Sequence, residues 1–211
     1  MNLTGLRQEY QKDKLSKKNV SPDPFIQFGK WFDEAVKSEI DMVNAMTLAT
    51  STLDGKPSAR IVLLKEFNSN GFVFFTHFGS RKGIELSENP HAALILFWKE
   101  LERQVRIEGT VEKLESNESD EYFRIRPDES KVSAIISAQS KVVPNRKYLE
   151  DLWEGQMKES RKEELIRPES WGGYRVKPNT IEFWQGRPNR LNDRLLYVMN
   201  GESWSLSRLA P

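Results

Sequence analysis

The chain has 211 residues, enough to bury one sizeable core without covalent staples. Thirty-two Lys and Arg against 31 Asp and Glu leave a formal net charge of +1, so no global field favours nucleic acid, and any anion must be met by a local cluster. Hydrophobic residues at 37% and charged residues at 30% mark a globular chain, and the lack of cysteine excludes disulfides, thiolate catalysis, iron–sulfur clusters and cysteine zinc sites.

The first twenty residues are polar and charged and carry no visible cleavable signal. The longest apolar run, Ala92–Trp98, is far too short to span a bilayer, so a cytoplasmic address with no membrane partner is expected. Residues 3 to 18 read as a loose helix or an arm that orders on binding, and residues 1–20 as an arm attached to one domain over 21–211. Asp23 then reads as an N-cap with Pro24 at the first helical position. Phe25, Phe28, Phe32, Ala35 and Val36 recur at helical spacing and predict one buried face.

Short β-rich segments follow at Ala45–Thr50, Ala59–Leu64, Phe72–Thr76, Ala92–Trp98 and Gln104–Val111, punctuated by Asp54-Gly55, Asn68-Ser69-Asn70-Gly71 and Asn89-Pro90. Ser80–Ser87 reads as a short helix between two of them. Residues 117 to 126 and 145 to 164 look helical, with breaks at Pro127 and Pro144. Strands resume at Tyr174–Val176, Thr180–Gln185, Arg194–Met199 and Ser203–Arg208, with Asn200-Gly201 as a hairpin turn. Strands, then helices, then strands give an α+β class, an antiparallel sheet curling toward a barrel that the last strands complete.

Three constellations stand out. The first is Arg60-Ile61-Val62-Leu63-Leu64-Lys65 with Gly79-Ser80-Arg81-Lys82. In a regular strand Arg60 and Lys65 face opposite ways. Arg81 and Lys82 open a helix, where backbone N–H groups and the dipole favour a phosphate, and ordinary solvated charge is the competing reading. The second is Tyr122, Arg126 and Ser130, each four apart, which on one helix face would offer a phenol, a guanidinium and a hydroxyl to an oxyanion. Pro127 interrupts that face, so Ser130 is expected to begin the next helix. The third joins Ile181-Glu182-Phe183-Trp184-Gln185-Gly186 to Arg190-Leu191-Asn192-Asp193-Arg194. It suits either a flat anionic heterocycle or a core tryptophan beside a salt-bridged loop. Dinucleotide, P-loop, zincin and nucleophile-elbow motifs are missing, and two histidines argue against a metal site or a triad.

Together these pieces resemble the pyridoxamine 5′-phosphate oxidase family. The matching segments run in order from Leu6-Arg7-Gln8-Glu9-Tyr10 through both cationic segments, Leu101-Glu102-Arg103-Gln104-Val105, Tyr122-Phe123-x-x-Arg126-Pro127, Gln139-Ser140 and Trp171-Gly172-Gly173. They end with the third constellation and Arg208-Leu209-Ala210-Pro211. The resemblance implies an FMN-binding split β-barrel with peripheral helices, a homodimer with FMN at the subunit interface. It implies oxidation of pyridoxine and pyridoxamine 5′-phosphates to pyridoxal 5′-phosphate, a vitamin B6 step, with dioxygen as acceptor and hydrogen peroxide as product.

By position, the flavin contacts would be Arg60, Ile61, Val62, Leu63, Leu64, Lys65, Phe75, Thr76, Arg81, Lys82, Gln104, Gln139, Ser140, Trp184 and Arg194. The substrate phosphate would meet Lys65, Tyr122, Arg126 and Ser130. Arg190 and Asn192 would lie near the reacting carbon, with Arg7 and Tyr10 as a lid. The chain departs from the family pattern at Asn192, where many members carry His, and at Phe75-Thr76-His77, where Tyr-Thr-Asn is common. Asp41 and Met42 compete for an acidic position before Asn44-Ala45-Met46. The rivals are a phenazine-type flavin oxidase on the same barrel and a non-catalytic flavin or pyridoxal-phosphate carrier.

Overall fold

The first helix begins where its cap dictates. In the computed structural model, which describes residues 1–3, 5, 9–160 and 163–211, α1 spans Pro24–Lys37. The Asp23 carboxylate accepts from the Phe25 and Ile26 amides, and Pro24 sits in the first turn, where its missing N–H costs nothing. Phe28, Trp31 and Ala35 are buried and Phe25 and Phe32 pack beside them, whereas Val36 is half exposed, rotated off that stripe. Arg7 lies outside the described residues. The described part of 3–18 contains no helix.

The order continues β1 (Ala45–Ser51), β2 (Pro57–Leu63), β3 (Glu66–Asn68), β4 (Gly71–His77), α2 (Arg81–Glu88), β5 (His91–Trp98) and β6 (Arg103–Lys113). Then come α3 (Ser116–Arg124), α4 (Asp128–Ile136), α5 (Arg146–Glu159), β7 (Trp171–Gln185), β8 (Asp193–Asn200) and β9 (Ser203–Leu209). One element escapes the sequence pattern: β3 has three residues, too few to show alternation. α4 is the separate helix expected after Pro127, and it starts at Asp128, two residues ahead of Ser130.

All nine strands form one antiparallel sheet in the order β2-β1-β5-β6-β7-β4-β3, with β8 on β7 and β9 on β8. β2 and β3 stand at opposite ends of that path, yet only Leu64 and Lys65 separate them in the chain. The three Cα–Cα steps from Leu63 to Glu66 reach at most about 11 Å, so the sheet has to curl until its ends meet. The Lys65 amide bonds the Val73 carbonyl at 2.8 Å and closes the seam. The curl encloses a core that includes Phe28, Phe72, Phe74, Leu94, Leu96, Ile107, Ile181 and Phe183.

The expected pair of strands at 174–176 and 180–185 is one 15-residue strand. β6 pairs along one edge of β7, while the other edge is divided between β4 on residues 171–176 and β8 on 180–185. Between those halves the register slips, with Glu108 opposite Thr180 and Gly109 opposite Pro178. The bulge takes up Asn179 and tolerates a proline that cannot donate to a ladder. At the last hairpin Asn200 pairs with Ser203, so the turn residues are Gly201, at φ +64°, and Glu202, one place later than expected.

Residues before α1 are pinned to the sheet. Leu15 is buried, Gln11 and Lys12 donate their amides to Glu102 Oε2 at 2.8 and 3.0 Å, and Asp13 pairs with the buried Arg103 at 2.7 Å. Among the described residues, no helix is long and apolar enough to cross a membrane.

A Cβ at Gly109 would lie 2.0 Å from the Lys177 carbonyl oxygen, so this bulge admits only glycine without backbone movement. Gly109→Ala is therefore expected to cost about 1–3 kcal/mol and to lower the melting midpoint by roughly 2–12 °C. An unchanged midpoint in a calorimetric scan would show that the bulge is not constrained as described.

Candidate active site

The seam where the sheet closes opens into a cleft of about 490 Å³. Arg60, Ile61, Val62, Leu63 and Lys65 line it from the β2 edge, Phe75 and Thr76 from β4, Lys82 from α2, Tyr122 from α3, Ser130 from α4, and Arg126, Pro127, Gln139 and Trp171 complete it. Arg60 and Lys65 share this cleft despite their odd spacing, because β2 ends at Leu63 and the chain turns. Leu64 faces the core instead. A larger cavity of about 570 Å³ lies between α4 and α5, but its Arg146 is already paired with Glu150, which leaves it no cation to spare.

One end of the cleft is lined by Arg60 and Lys82, and behind it Arg60 shares the carboxylate of Glu85 with Arg81. Lys82 is buried, and among the described residues its ammonium meets only neutral oxygens: Gln139 Oε1 at 2.8 Å, Thr76 Oγ1 at 3.0 Å and Ser80 Oγ at 3.3 Å. Burial and the nearby Arg60 pull its pKa down to about 8. Glu85, also buried, accepts from Arg81 Nε at 2.8 Å and lies 3.4 Å from Arg60 Nη2. Burial alone would raise its carboxyl, but hydrogen bonds from Ser58, Thr50 and Arg81 hold it at about 2. The helix start is less open to an anion than the sequence implied, because Ser80 caps the Gly83 amide and Ser140 takes the Arg81 amide. Side-chain charge, not free helix amides, dominates this end.

At the other end Tyr122, Arg126 and Ser130 converge from three successive segments. Pro127 breaks the helix between them and so folds the second half of the face back toward the first. Phe75 stacks on Tyr122 with centroids 3.9 Å apart, and Trp171 lies 5.4 Å beyond Phe75. The Arg126 guanidinium sits 4.5 Å from the Trp171 ring centre, and Lys65 Nζ lies 5.9 Å from that of Tyr122. Arg126 Nη1 is buried without a partner among the described residues, and burial lowers the Arg126 pKa while Tyr122 opposes that shift. A buried cationic N–H left unpaired is costly enough to signal an absent anion.

The remaining candidates lie elsewhere. Phe97, Gln104, Trp184 and Arg194 stand in one cross-strand row over β5, β6, β7 and β8. That outer face also carries Ile61 and Phe97, 62% and 52% exposed, an apolar area in need of cover. Arg194 is bound to the buried Glu182 at 2.6 and 3.1 Å and to the Ala210 carbonyl at 2.9 Å, and the Glu182 pairing raises its pKa. Tyr10 meets Trp184 edge-on at 5.5 Å and sits over Gly186, where a Cβ would fall 2.5 Å from its ring. Asn192 Oδ1 accepts from the Arg187 amide at 3.0 Å. Arg190 is exposed, and both it and Asn189 have positive φ, a conformation uncommon outside glycine. None of Tyr10, Gln104, Trp184, Arg190, Asn192 and Arg194 lines the cleft of the same chain.

The comparisons with known proteins bear on both groups. Residues 32–154 match the family model described as pyridoxamine 5′-phosphate oxidase, and residues 171–211 match the pyridoxine 5′-phosphate oxidase C-terminal dimerisation region. The chain belongs to the pyridoxamine 5′-phosphate oxidase family. A pyridoxine/pyridoxamine 5′-phosphate oxidase from a Nostoc species is 52% identical over 99% of this chain and 98% of its own. One from Salinibacter ruber is 54% identical over 99% of each. Among solved structures, PhzG of Burkholderia lata in complex with tetrahydrophenazine-1-carboxylic acid aligns with a TM-score of 0.89 at 30% identity, covering 94% of this chain and 98% of that one.

Sequence reasoning passed over Glu85 and Trp171 as parts of the site. The four-residue spacing of Arg81 and Glu85 on a short helix was a legible sign of the first. The second stands in the Trp171-Gly172-Gly173 segment, where a Cβ on Gly173 would strike Leu114 at 2.4 Å and Phe75 at 2.9 Å, so the glycines let the aromatic stack close up. The family's frequent Tyr at 75 is here a Phe, and the ring still serves as a platform for Tyr122.

Lys82 yields a signed pH dependence. Folded Lys82 loses its proton near 8, whereas the unfolded side chain keeps it to about 10.5. Between those values the unfolded state binds more protons, so the stability of the ligand-free protein should gain from this residue as pH rises and lose as pH falls through 8. The difference between wild type and Lys82→Met in urea melts is expected to shift in that direction between pH 7.5 and 10. A difference constant with pH would contradict the lowered pKa.

Proposed function

We propose that this chain is an FMN-dependent oxidase that converts pyridoxine 5′-phosphate and pyridoxamine 5′-phosphate to pyridoxal 5′-phosphate, with dioxygen as acceptor and hydrogen peroxide as product, working as a cytoplasmic homodimer. The observation that carries the reading is one cleft with two cationic ends, each short of an anion. Lys82 faces only neutral oxygens at one, and Arg126 has an unpartnered buried N–H at the other. Two phosphate monoesters, one on the flavin and one on the substrate, satisfy both.

The residues at the Lys82 end fit FMN. Three cations against Glu85 leave two positive charges, matching a phosphate monoester of about −1.5 to −2 at pH 7. Arg60, Arg81, Lys82, Thr76, Gln139 and Ser140 are assigned to that phosphate and its surroundings, with the β2 edge from Ile61 to Lys65 along the flavin. When bound, FMN supplies a two-electron acceptor for the C4′ hydride that dioxygen can reoxidise. Lys65, Tyr122, Arg126 and Ser130 hold the substrate phosphate and so fix the pyridine ring.

The dimerisation-region match supports a homodimer, and the outer row of Gln104, Trp184 and Arg194 fits a contribution from a second copy. Arg190 would bring positive charge to the reacting carbon. Asn192, neutral at any ordinary pH, would orient the substrate while the Arg187 amide holds its oxygen. Arg7 and Tyr10 are assigned to covering the site. The proton of the substrate hydroxyl or amine leaves to solvent, and the imine formed from the amine is hydrolysed by water with release of ammonia, so no histidine base is required.

The likeness to PhzG favours one second reading, oxidation of a larger ring on the same barrel. The substrate-phosphate group of Lys65, Tyr122, Arg126 and Ser130 supports the pyridoxine reading over it. Purified protein is expected to carry FMN and to release peroxide from pyridoxine 5′-phosphate in an oxygen-electrode assay. Protein that takes up no FMN, or is silent with that substrate, would overturn the proposal. Arg126→Ala should raise KM for pyridoxine 5′-phosphate about ten- to a hundredfold, the worth of one charge-assisted hydrogen bond, and keep its flavin. Loss of flavin with an unchanged KM would exchange the two phosphate sites.

A further inference from the structure

Glu85 has no place in the chemistry above, yet it is 3% exposed and engaged at both oxygens. Oε1 accepts from Arg81 Nε at 2.8 Å. Oε2 accepts from Thr50 Oγ1 at 2.5 Å and Ser58 Oγ at 2.6 Å, and lies 3.4 Å from Arg60 Nη2. The same two hydroxyls receive Arg60: Nη1 bonds Thr50 Oγ1 at 2.5 Å, Nη2 bonds Ser58 Oγ, and Nη1 also reaches the Leu48 carbonyl at 3.3 Å. Four donors of Arg60 are thus spent on the protein, and its rotamer is fixed. Arg81 is held only by Nε and is 62% exposed, so its outer fork points away from Glu85 and toward solvent.

We propose that Glu85 is a positioning residue for the phosphate end of the cleft, holding Arg60 through Thr50 and Ser58 and Arg81 directly, and that this gives the site its preference for a phosphorylated flavin over an unphosphorylated one. The inference rests on the FMN reading above. Its physical basis is that cations placed beforehand meet phosphate without the entropic cost of ordering them: Arg81 offers its outer fork, and Arg60 its charge and remaining Nε donor. Replacing the carboxylate by an amide keeps the volume but makes one end a donor. Facing Arg81 Nε, the NH₂ group would oppose a donor, and facing the hydroxyl pair it would turn both hydroxyls into acceptors and lose the Arg60 Nη2 contact, so either way one of the two arginines is held less firmly.

The test is fluorescence titration of flavin-stripped wild type and Glu85→Gln with FMN and, separately, with riboflavin, alongside thermal melts of each. Expected is about a tenfold loss of FMN affinity with riboflavin affinity within twofold of wild type. A merely structural carboxylate would weaken both flavins together, and that result overturns the proposal, as does unchanged or tighter FMN binding. If Glu85→Gln does not fold, Ser58→Ala decides, since it removes one bridge to Arg60 and leaves the Glu85–Arg81 pair. A severalfold loss confined to FMN supports the proposal, and equal or absent losses overturn it. Wild-type protein that binds neither flavin would remove the oxidase reading together with this inference. Wild type that prefers FMN beside a variant of equal preference would remove this inference alone.

Discussion

The two-residue link between β2 and β3 is the constraint on which the rest depends. Leu64 and Lys65 join strands at opposite ends of the sheet path, so the sheet has no flat solution. Leu64 goes into the core and Lys65 turns out at the seam, anchored through its amide to Val73. The cleft is the opening left where the two ends approach. Its walls therefore come from elements far apart in sequence: the β2 edge, β4, the start of α2, the α3–α4 break, the segment before α5 and the start of β7.

Electrostatics then gives the cleft its polarity. A chain with almost balanced charge concentrates cations at both ends and offers them too few carboxylates. Where a carboxylate is present, as Glu85 is, it organises arginines rather than neutralising the site. The outer sheet face works differently, since Arg194 and Arg106 both bind the buried Glu182 and Arg106 also pairs with Glu108, which leaves this group close to neutral. Neutrality is consistent with the proposed cover by a second copy, because unpaired charge there would have to be desolvated.

Much of the fold was legible from local pattern. Asp23 and Pro24 mark the start of α1 because a cap is a short-range hydrogen bond, and β1 and β6 alternate because only one face is buried. The misses have equally local causes. β3 is too short to alternate, α4 starts two residues ahead of the expected Ser130 because Pro127 itself stands at its cap, and Pro178 hides the continuity of β7 because the bulge that admits it depends on Gly109 across the ladder. In the cleft, Tyr122, Arg126 and Ser130 do converge, though through a broken helix and not along one face. Arg60 and Lys65 share a site that strand geometry alone would deny them.

By itself the sequence determined the class of the fold, the family and the residue types at hand: lysines and arginines in two clusters, a phenol, and a tryptophan near two arginines. These are properties of order and identity, which survive without coordinates. The tertiary structure decided which of those residues meet. It united Lys82 with Gln139 and Thr76, left Arg126 Nη1 without a partner among the described residues, buried Leu64, and set Gln104, Trp184 and Arg194 in a row outside the cleft. The reason is physical, since burial and charge balance belong to contacts between distant segments, and those contacts exist only once the sheet has curled.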